Sequence, residues 1–344
     1  MTHYIWNLTD INKIPKNNLK VFSCFSCGGG SSLGYKLAGF DVIGNCEIDK
    51  IINDIYIANI HPQFNYQMGI QEMNKLKVFP DELYNLDILD GSPPCSTFSM
   101  AGEREQNWGK EKLFKEGQSK QILDDLFFEF IELVSILKPK VVVAENVKGL
   151  ILGKAKGYIN AINKSFNQAG YKVQLFLLNA ATMGVPQRRE RVFFIATRND
   201  LKMQKLKLSF NEAAITYKEF ADTNYKPLNK NSLTYTRWQK RKSNDKSLGD
   251  TVKRREGGKI SGFTTPYIKF NQIPNTITAG VRPIRFDVAG HISDKDIITI
   301  QSFPQDYNFK NYDVNYVCGM SVPPIMMKKI AEQIYMQLFK NRGE

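Results

Sequence analysis

What this chain has little of narrows its identity first. Its five cysteines (Cys24, Cys27, Cys46, Cys95 and Cys318) are odd in number, and the stretch around Trp6 lacks the charged start and apolar run of a signal peptide. Both observations lead to the expectation of an intracellular, reduced protein. No run approaches the roughly 18 to 20 uninterrupted apolar residues of a membrane span, so a soluble chain with no membrane partner is expected. Cys24-x-x-Cys27 has neither a second cysteine pair nor a histidine pair to accompany it, which argues against a zinc or redox centre, and no metal is expected. There is no internal repeat and no low-complexity linker. Acidic residues are also short, 34 against 47 basic ones over 344 residues, for a formal charge of +13. That excess favours a polyanionic partner, because neutralising phosphates releases condensed counterions, although many soluble proteins are basic. With 42% hydrophobic residues, the chain can fill one large core or two modest ones without disulfide staples.

Strands and helices alternate along the first part of the sequence. Residues 19–25 read as a strand running into a Gly28-Gly29-Gly30 turn, with a helix starting near Ser31 or Ser32. Residues 40–47 form a second strand and 86–89 a third, which Gly91-Ser92-Pro93-Pro94 must end because prolines cannot continue a ladder. From Ser119, apolar residues Leu123, Leu126, Phe127, Phe130, Val134 and Leu137 recur at helical spacing until Lys138-Pro139. Strands are expected again at 141–144, 172–178 and 191–197. This alternation predicts an α/β fold, a doubly wound and mostly parallel sheet with helices on both faces. Beyond about Thr197 the pattern changes to a basic stretch, 226–259, with Tyr235, Trp238 and few aliphatics, as in a small separate domain. A final helix places Ile325, Met326, Ile330, Ile334 and Leu338 on one face, suited to packing back on the first domain.

A glycine-rich turn between strand and helix lets backbone amides approach a nucleotide-like ligand. The phosphate-binding versions fail here: Gly29 and Gly34 have Walker spacing but Tyr35 stands in the place of the lysine, and Leu33 interrupts the dinucleotide pattern begun by Gly28 and Gly30. Glu47 ends the next strand about 20 residues on, suited to ribose hydroxyls. An adenosine cofactor without a pyrophosphate fits best; a plain tight turn with a solvated Glu47 is the alternative.

Cys95, just past a strand end and fixed by two prolines, faces the carboxyl edge where such sheets bind ligands. A lone cysteine is more often a small apolar residue in a turn. Strand 141–144, however, delivers Glu145-Asn146-Val147 to the same edge, and Gln187-Arg188-Arg189-Glu190-Arg191 precedes the next strand. Singly, Glu145 could be an ordinary ion-pair partner and the arginines a solvated face.

Taken together, in order and over nearly the whole chain, these segments resemble the cytosine-C5 DNA methyltransferase family. The matching stretches are Phe25-Ser26-Cys27-Gly28-Gly29-Gly30 with Ser32-Leu33-Gly34, Glu47, Pro93-Pro94-Cys95, Glu145-Asn146-Val147 and Gln187-Arg188-Arg189-Glu190-Arg191. Gln301-Ser302-Phe303-Pro304 and Gly319-Met320-Ser321-Val322-Pro323-Pro324 complete the series. The resemblance implies a Rossmann-like methyltransferase fold divided into a catalytic and cofactor-binding domain (1–199), a target-recognition domain (200–285) and a C-terminal segment (286–344) returning to the first. It implies S-adenosylmethionine as methyl donor, with S-adenosylhomocysteine as product. Phe25, Ser26, Gly28, Gly29, Gly30, Glu47, Ile48, Pro94, Leu126 and Ser321 would hold it.

The catalytic set implied is Cys95, Glu145, Arg189 and Arg191. C5 of cytosine is too electron-poor to attack a sulfonium, whereas a thiolate adding at C6 makes it an enamine carbon. Glu145 would stabilise the charge developing in the ring, and Arg189 and Arg191 would hold the exocyclic oxygen side or lower the thiol pKa. The base that removes the C5 proton is unassigned. The cytosine must be flipped from its stack, and residues 96–118 form a natural lid beside it, or an exposed loop. Double-stranded DNA is the implied partner, with Ser96, Arg237, Arg241, Thr251 and Arg254, beside Trp238 and Arg255, as candidate contacts, each of which could equally belong to a solvated basic face. A monomer in the cytoplasm of a bacterium or phage-infected cell follows, with room for a cognate restriction endonuclease acting independently. An RNA cytosine-C5 methyltransferase acting on tRNA and a catalytically silent DNA-binding relative are the alternatives. The chain departs from the family at three places: Cys27 and Gly28 are interchanged in the turn, Gly69 falls where an Asp contacts adenine, and Met320 replaces an Asn. These bear on cofactor affinity and leave the catalytic positions intact.

Overall fold

In the computed structural model the described residues are 3–94, 125–152, 156–256 and 264–340. Cys95, Ser96, the expected lid and the first turn of the expected helix from Ser119 lie outside them, as does the side chain of Arg255. Seven strands form the main sheet: β1 (Lys20–Cys24), β2 (Asp41–Cys46), β3 (Phe64–Tyr66), β4 (Ile88–Gly91), β5 (Val141–Val147), β6 (Tyr171–Asn179) and β7 (Glu190–Arg198). Their order is β3-β2-β1-β4-β5-β7-β6. All neighbouring pairs are parallel except those made by β7, which runs antiparallel to both β5 and β6.

β4 and β5 begin as apolar runs because both faces of the sheet are covered, and they turn polar only towards their carboxyl ends, at Asp90 and at Glu145-Asn146. Along β5, Val141 and Val143 enter one core while Val142 and Ala144 enter the other, and β7 repeats this with Phe193 and Ile195 against Val192 and Phe194. The first face is covered by α1 (Gly30–Leu37), α2 (Lys50–Ile60) and the late helix that carries Ile325, Met326 and Ile330. The second is covered by α3 (Ile70–Asn74), α4 (Asp81–Tyr84), α5 (Leu126–Leu137) and α6 (Lys156–Gln168). A separate four-stranded sheet, order β8-β11-β10-β9, is built from β8 (Tyr225–Pro227), β9 (Tyr267–Ile268), β10 (Ile284–Arg285) and β11 (Gly290–Ile292). With α7 (Leu233–Gln239) and α8 (Leu248–Glu256), it closes over a small core of Leu228, Leu248, Tyr267 and Ile284.

The chain then returns through α9 (Asp294–Ile300), α10 (Val314–Met320) and α11 (Pro324–Ile334). The last of these lies directly on α1. A side chain at Gly34 would sit 2.5 Å from the Met327 Cβ and 2.6 Å from the Pro324 carbonyl oxygen, and one at Gly30 would meet the Val322 carbonyl. The glycines at 30 and 34 therefore set the spacing of the two helices. Because backbone cannot yield as a flexible side chain does, Gly34→Ala should lower unfolding stability by about 1–3 kcal/mol, measured by urea denaturation.

Candidate active site

A cavity of about 960 Å³, its open mouth included, lies at the carboxyl ends of β1, β2 and β4. Strand order reverses between β1 and β4, the place where open α/β sheets leave a crevice. The turn after β1 contributes Phe25, Ser26 and Cys27, and the start of α1 contributes Gly30 and Ser31. The end of β2 contributes Glu47, Ile48 and Asp49, while Met68, Gly69 and Ile70 close that side. Asp90, Ser92 and Pro94 come from the end of β4, Leu126 from α5, and Met320, Ser321 and Val322 from the returning C-terminal segment. Glu47, Asp49 and Asp90 are the charged side chains of this wall; no lysine, arginine or histidine among the described residues lines it.

Of the ten residues expected to hold a cofactor, eight line the cavity, and Gly28 and Gly29 do not. A Cβ at Gly28 would meet the Val317 side chain, and one at Gly29 would sit 3.1 Å from Ile60, so these two glycines serve internal packing. The turn itself is strained: Phe25 and Cys27 have φ of 50° and 45° in the left-handed region that favours glycine. Cys27 therefore occupies a glycine-type conformation without being one, the structural form of the interchange visible in the sequence. The Glu47 carboxylate holds the turn to β2, accepting the amide N–H groups of Cys27 at 2.9 Å and Asp49 at 3.0 Å. Burial raises the pKa of Glu47, and these amide bonds oppose the rise.

The second part of the site lies along β5 and β7. Because β7 is antiparallel, its first residues sit at the carboxyl end of β5, with Arg191 opposite Val147. Arg191 and Glu145 form an ion pair at 2.9 Å, both largely buried. Asn146 donates to the Pro93 carbonyl at 3.1 Å and so ties the diproline turn to β5. Arg189 is the other arginine expected at the reacting base. It is 2% exposed, and its two Nη atoms donate to the carbonyls of Ile277, Gly319 and Ser321 at 3.0–3.1 Å, leaving it a fastening between chain segments.

The expected DNA contacts on the small sheet fare similarly. Thr251 is fully buried, its hydroxyl donating to Asp245 at 2.9 Å, so it presents nothing to a groove. Arg254 pairs with the same Asp245 and with the Lys240 carbonyl. The Arg241 guanidinium stacks 3.5 Å from the Trp238 ring centroid and donates to the Phe286 and Trp238 carbonyls. Both arginines fasten this small core, a use that composition does not distinguish from a nucleic-acid surface. Arg237 lies half-buried on α7, and Ser96 is outside the described residues.

Three residues of consequence had no role assigned from sequence alone. Asn146 was visible only as part of a motif; Gln187, fully buried, accepts from the Ile277 amide and donates to Gln301 at 2.6 Å. Asp90, next to the motif containing Cys95, could have been noticed as an acid inside an apolar strand. The four described cysteines are all poor nucleophiles as placed: burial pushes the thiols of Cys24, Cys46 and Cys318 well up, and that of Cys27 up to about 12.

A model of the C-5 cytosine-specific DNA methylase family matches residues 19–336. Type II methyltransferase M1.HphI of Haemophilus parahaemolyticus is 28% identical over 92% of this chain and 87% of its own length. M.FnuDI of Fusobacterium nucleatum is 34% identical over 56% of this chain; the matches to it and to M.NgoPII of Neisseria gonorrhoeae span about half the length of those relatives. Among solved structures, a putative DNA modification methyltransferase encoded within an E. coli prophage superimposes with a TM-score of 0.65 at 21% identity, covering 93% of this chain and 99% of that one. Spodoptera frugiperda DNMT2 gives a TM-score of 0.62 at 16% identity, covering 92% and 100%. Both likenesses concern the fold. If Arg189 is a fastening, Arg189→Met should strand buried carbonyls and reduce unfolding stability by about 3 kcal/mol, read by chemical denaturation in the absence of any ligand.

Proposed function

Since the chain belongs to the C-5 cytosine-specific DNA methylase family, we propose that it transfers a methyl group from S-adenosylmethionine to C5 of a cytosine flipped out of duplex DNA. One observation carries this reading. The Glu145–Arg191 pair stands at the same sheet edge as the cavity wall that ends in Pro94, the residue before Cys95. The cavity suits the cofactor: a wall whose charged side chains are acidic, set among serines and apolar residues, repels a pyrophosphate and favours an adenosine ligand carrying positive charge. Phe25, Ile48 and Leu126 supply apolar surface for the adenosine, and Glu47 supplies acceptors for ribose hydroxyls.

When bound, S-adenosylmethionine supplies an electrophilic methyl group on a sulfonium. The protein's own work is on the cytosine. The Cys95 thiolate adds to C6, and the electron pair displaced from the C5–C6 bond makes C5 nucleophilic. Glu145 stands to share a proton with N3, and Arg191, held by Glu145, to donate to the exocyclic oxygen where negative charge collects. After methyl transfer the C5 proton leaves to a base, the C5–C6 double bond re-forms and the thiolate departs. Arg189 contributes by fixing Ser321 in the cavity wall and Gly319 just before it. Residues 200–285, with the small sheet at their centre, are the part we assign to reading the DNA sequence, and a cognate endonuclease would act independently of this chain. No helix of the described residues is long and apolar enough to cross a membrane, in keeping with our assignment to the cytoplasm of a bacterium or an infected host.

Sequencing of methylated positions in DNA from cells expressing the chain is expected to show 5-methylcytosine at one recurring sequence. Absence of the mark from all DNA, or methyl transfer to tRNA in preference to duplex DNA, would overturn the reading. Cys95→Ser should reduce turnover by at least about 10³-fold. Glu145→Gln should reduce it by about 10²–10³-fold while leaving cofactor binding in place, measured with tritiated donor and by calorimetry.

A further inference from the structure

Asp90 has no part in the chemistry just described, yet its position is costly. It is 1% exposed in β4, whose other residues are also fully buried, and packing alone would be better served there by an aliphatic side chain. Its carboxylate accepts from the Ser23 hydroxyl at 2.9 Å and from the Tyr35 hydroxyl at 3.3 Å, with the Ser31 hydroxyl near enough to favour its charged form. A carboxylate has about four acceptor positions, so these hydroxyls leave room for a ligand. No lysine, arginine or histidine among the described residues pairs with it, although it forms part of the cavity wall.

The two other acids of the cavity are differently occupied. Glu47 is bound by two amides, and Asp49 accepts the Ile52 amide at 3.1 Å as the cap of α2. Both stand at the end of β2, beside Met68, Gly69 and Ile70. Asp90 stands across β1, at the reversal of strand order and beside the first turn of α1. If adenosine occupies the β2 side, the amino-acid end of the same molecule extends towards Asp90.

We propose that Asp90 is the residue that selects the amino-acid end of the cofactor, its buried carboxylate receiving the α-ammonium group. The assignment rests on the S-adenosylmethionine reading above and adds to it a specificity determinant that is electrostatic. Only the ionised carboxylate attracts an ammonium strongly. Burial raises Asp90 to about 7, and the Glu145 charge across β5 adds to the rise, opposed by the hydroxyls of Ser23, Tyr35 and Ser31. The remaining titratable groups facing it are Cys24 on β1 and Tyr56 on α2, both driven further towards their neutral forms by its charge. Below about 7 the free site is protonated, so ligand binding must expel a proton, and affinity falls as pH falls.

Calorimetry on the full chain with two product-like probes tests this. S-adenosylhomocysteine carries the α-ammonium, and 5′-methylthioadenosine has the same adenosine without the amino-acid end. Asp90→Asn should weaken S-adenosylhomocysteine by at least about tenfold while changing 5′-methylthioadenosine less than about twofold, the retained ligand also reporting a folded cavity. The unsubstituted protein gives a second readout: its affinity for S-adenosylhomocysteine should fall by up to about tenfold per pH unit below 7, with 5′-methylthioadenosine flat. Equal weakening of both probes in the variant, no weakening of either, or identical pH profiles in the unsubstituted protein would overturn the role of Asp90 alone. Failure of the unsubstituted protein to bind either probe would overturn the cofactor reading together with it.

Discussion

A single guanidinium, that of Arg189, holds two stretches of chain that are far from its own in sequence, one through the carbonyl of Ile277 and the other through those of Gly319 and Ser321. Its neighbour Gln187 accepts the Ile277 amide and binds Gln301, which in turn donates to the Ser321 carbonyl at 2.6 Å. Because the group is buried, each bond forms in a medium where an unmade one is expensive, and the geometry has little freedom. One wall of the cavity, Met320 to Val322, therefore takes its position from a residue just before β7. The close approach of Val322 to Gly30 then places that wall against the turn that carries Phe25 and Cys27.

The electrostatic character of the site follows from this construction. Acids line the cavity, with no basic side chain among the described residues in its wall, while the cationic Arg191 pairs with Glu145 at the β5–β7 edge. A positively charged methyl donor and a base acquiring negative charge would thus meet opposite surroundings a short distance apart. Burial pushes the described thiols up and keeps them protonated, in keeping with the nucleophile proposed for Cys95.

Much of the fold was legible because strands buried on both faces are largely apolar, as β5 is over Val141–Ala144 and β7 over Val192–Ala196. The reversed direction of β7 was not legible, since residue pattern along a strand is the same whichever way it runs; only pairing reveals that Arg191 faces Val147. The residues lining the cavity could be located from the glycine turn and Glu47, although Gly28 and Gly29 are constrained instead by Val317 and Ile60. Reading arginines was less secure. Arg189, Arg241 and Arg254 direct their guanidiniums inward, to carbonyls, a carboxylate or an indole ring, and a sequence does not say whether a cation meets its partner inside the protein or outside it. Asp90 was overlooked because it lies within a strand whose pattern otherwise suggested core alone.

The seating of α11 on α1 also bears on how the molecule is made. During synthesis the first strands and α1 leave the ribosome long before α11, so the groove shaped by Gly30 and Gly34 stays open while everything between the two helices is made. The apolar layer around Leu33, Ile55 and Ile60 must meanwhile wait for its partners from the far end of the chain. A nascent chain in that condition exposes adhesive surface, and its successful maturation depends on keeping that surface from its neighbours until the last helix arrives.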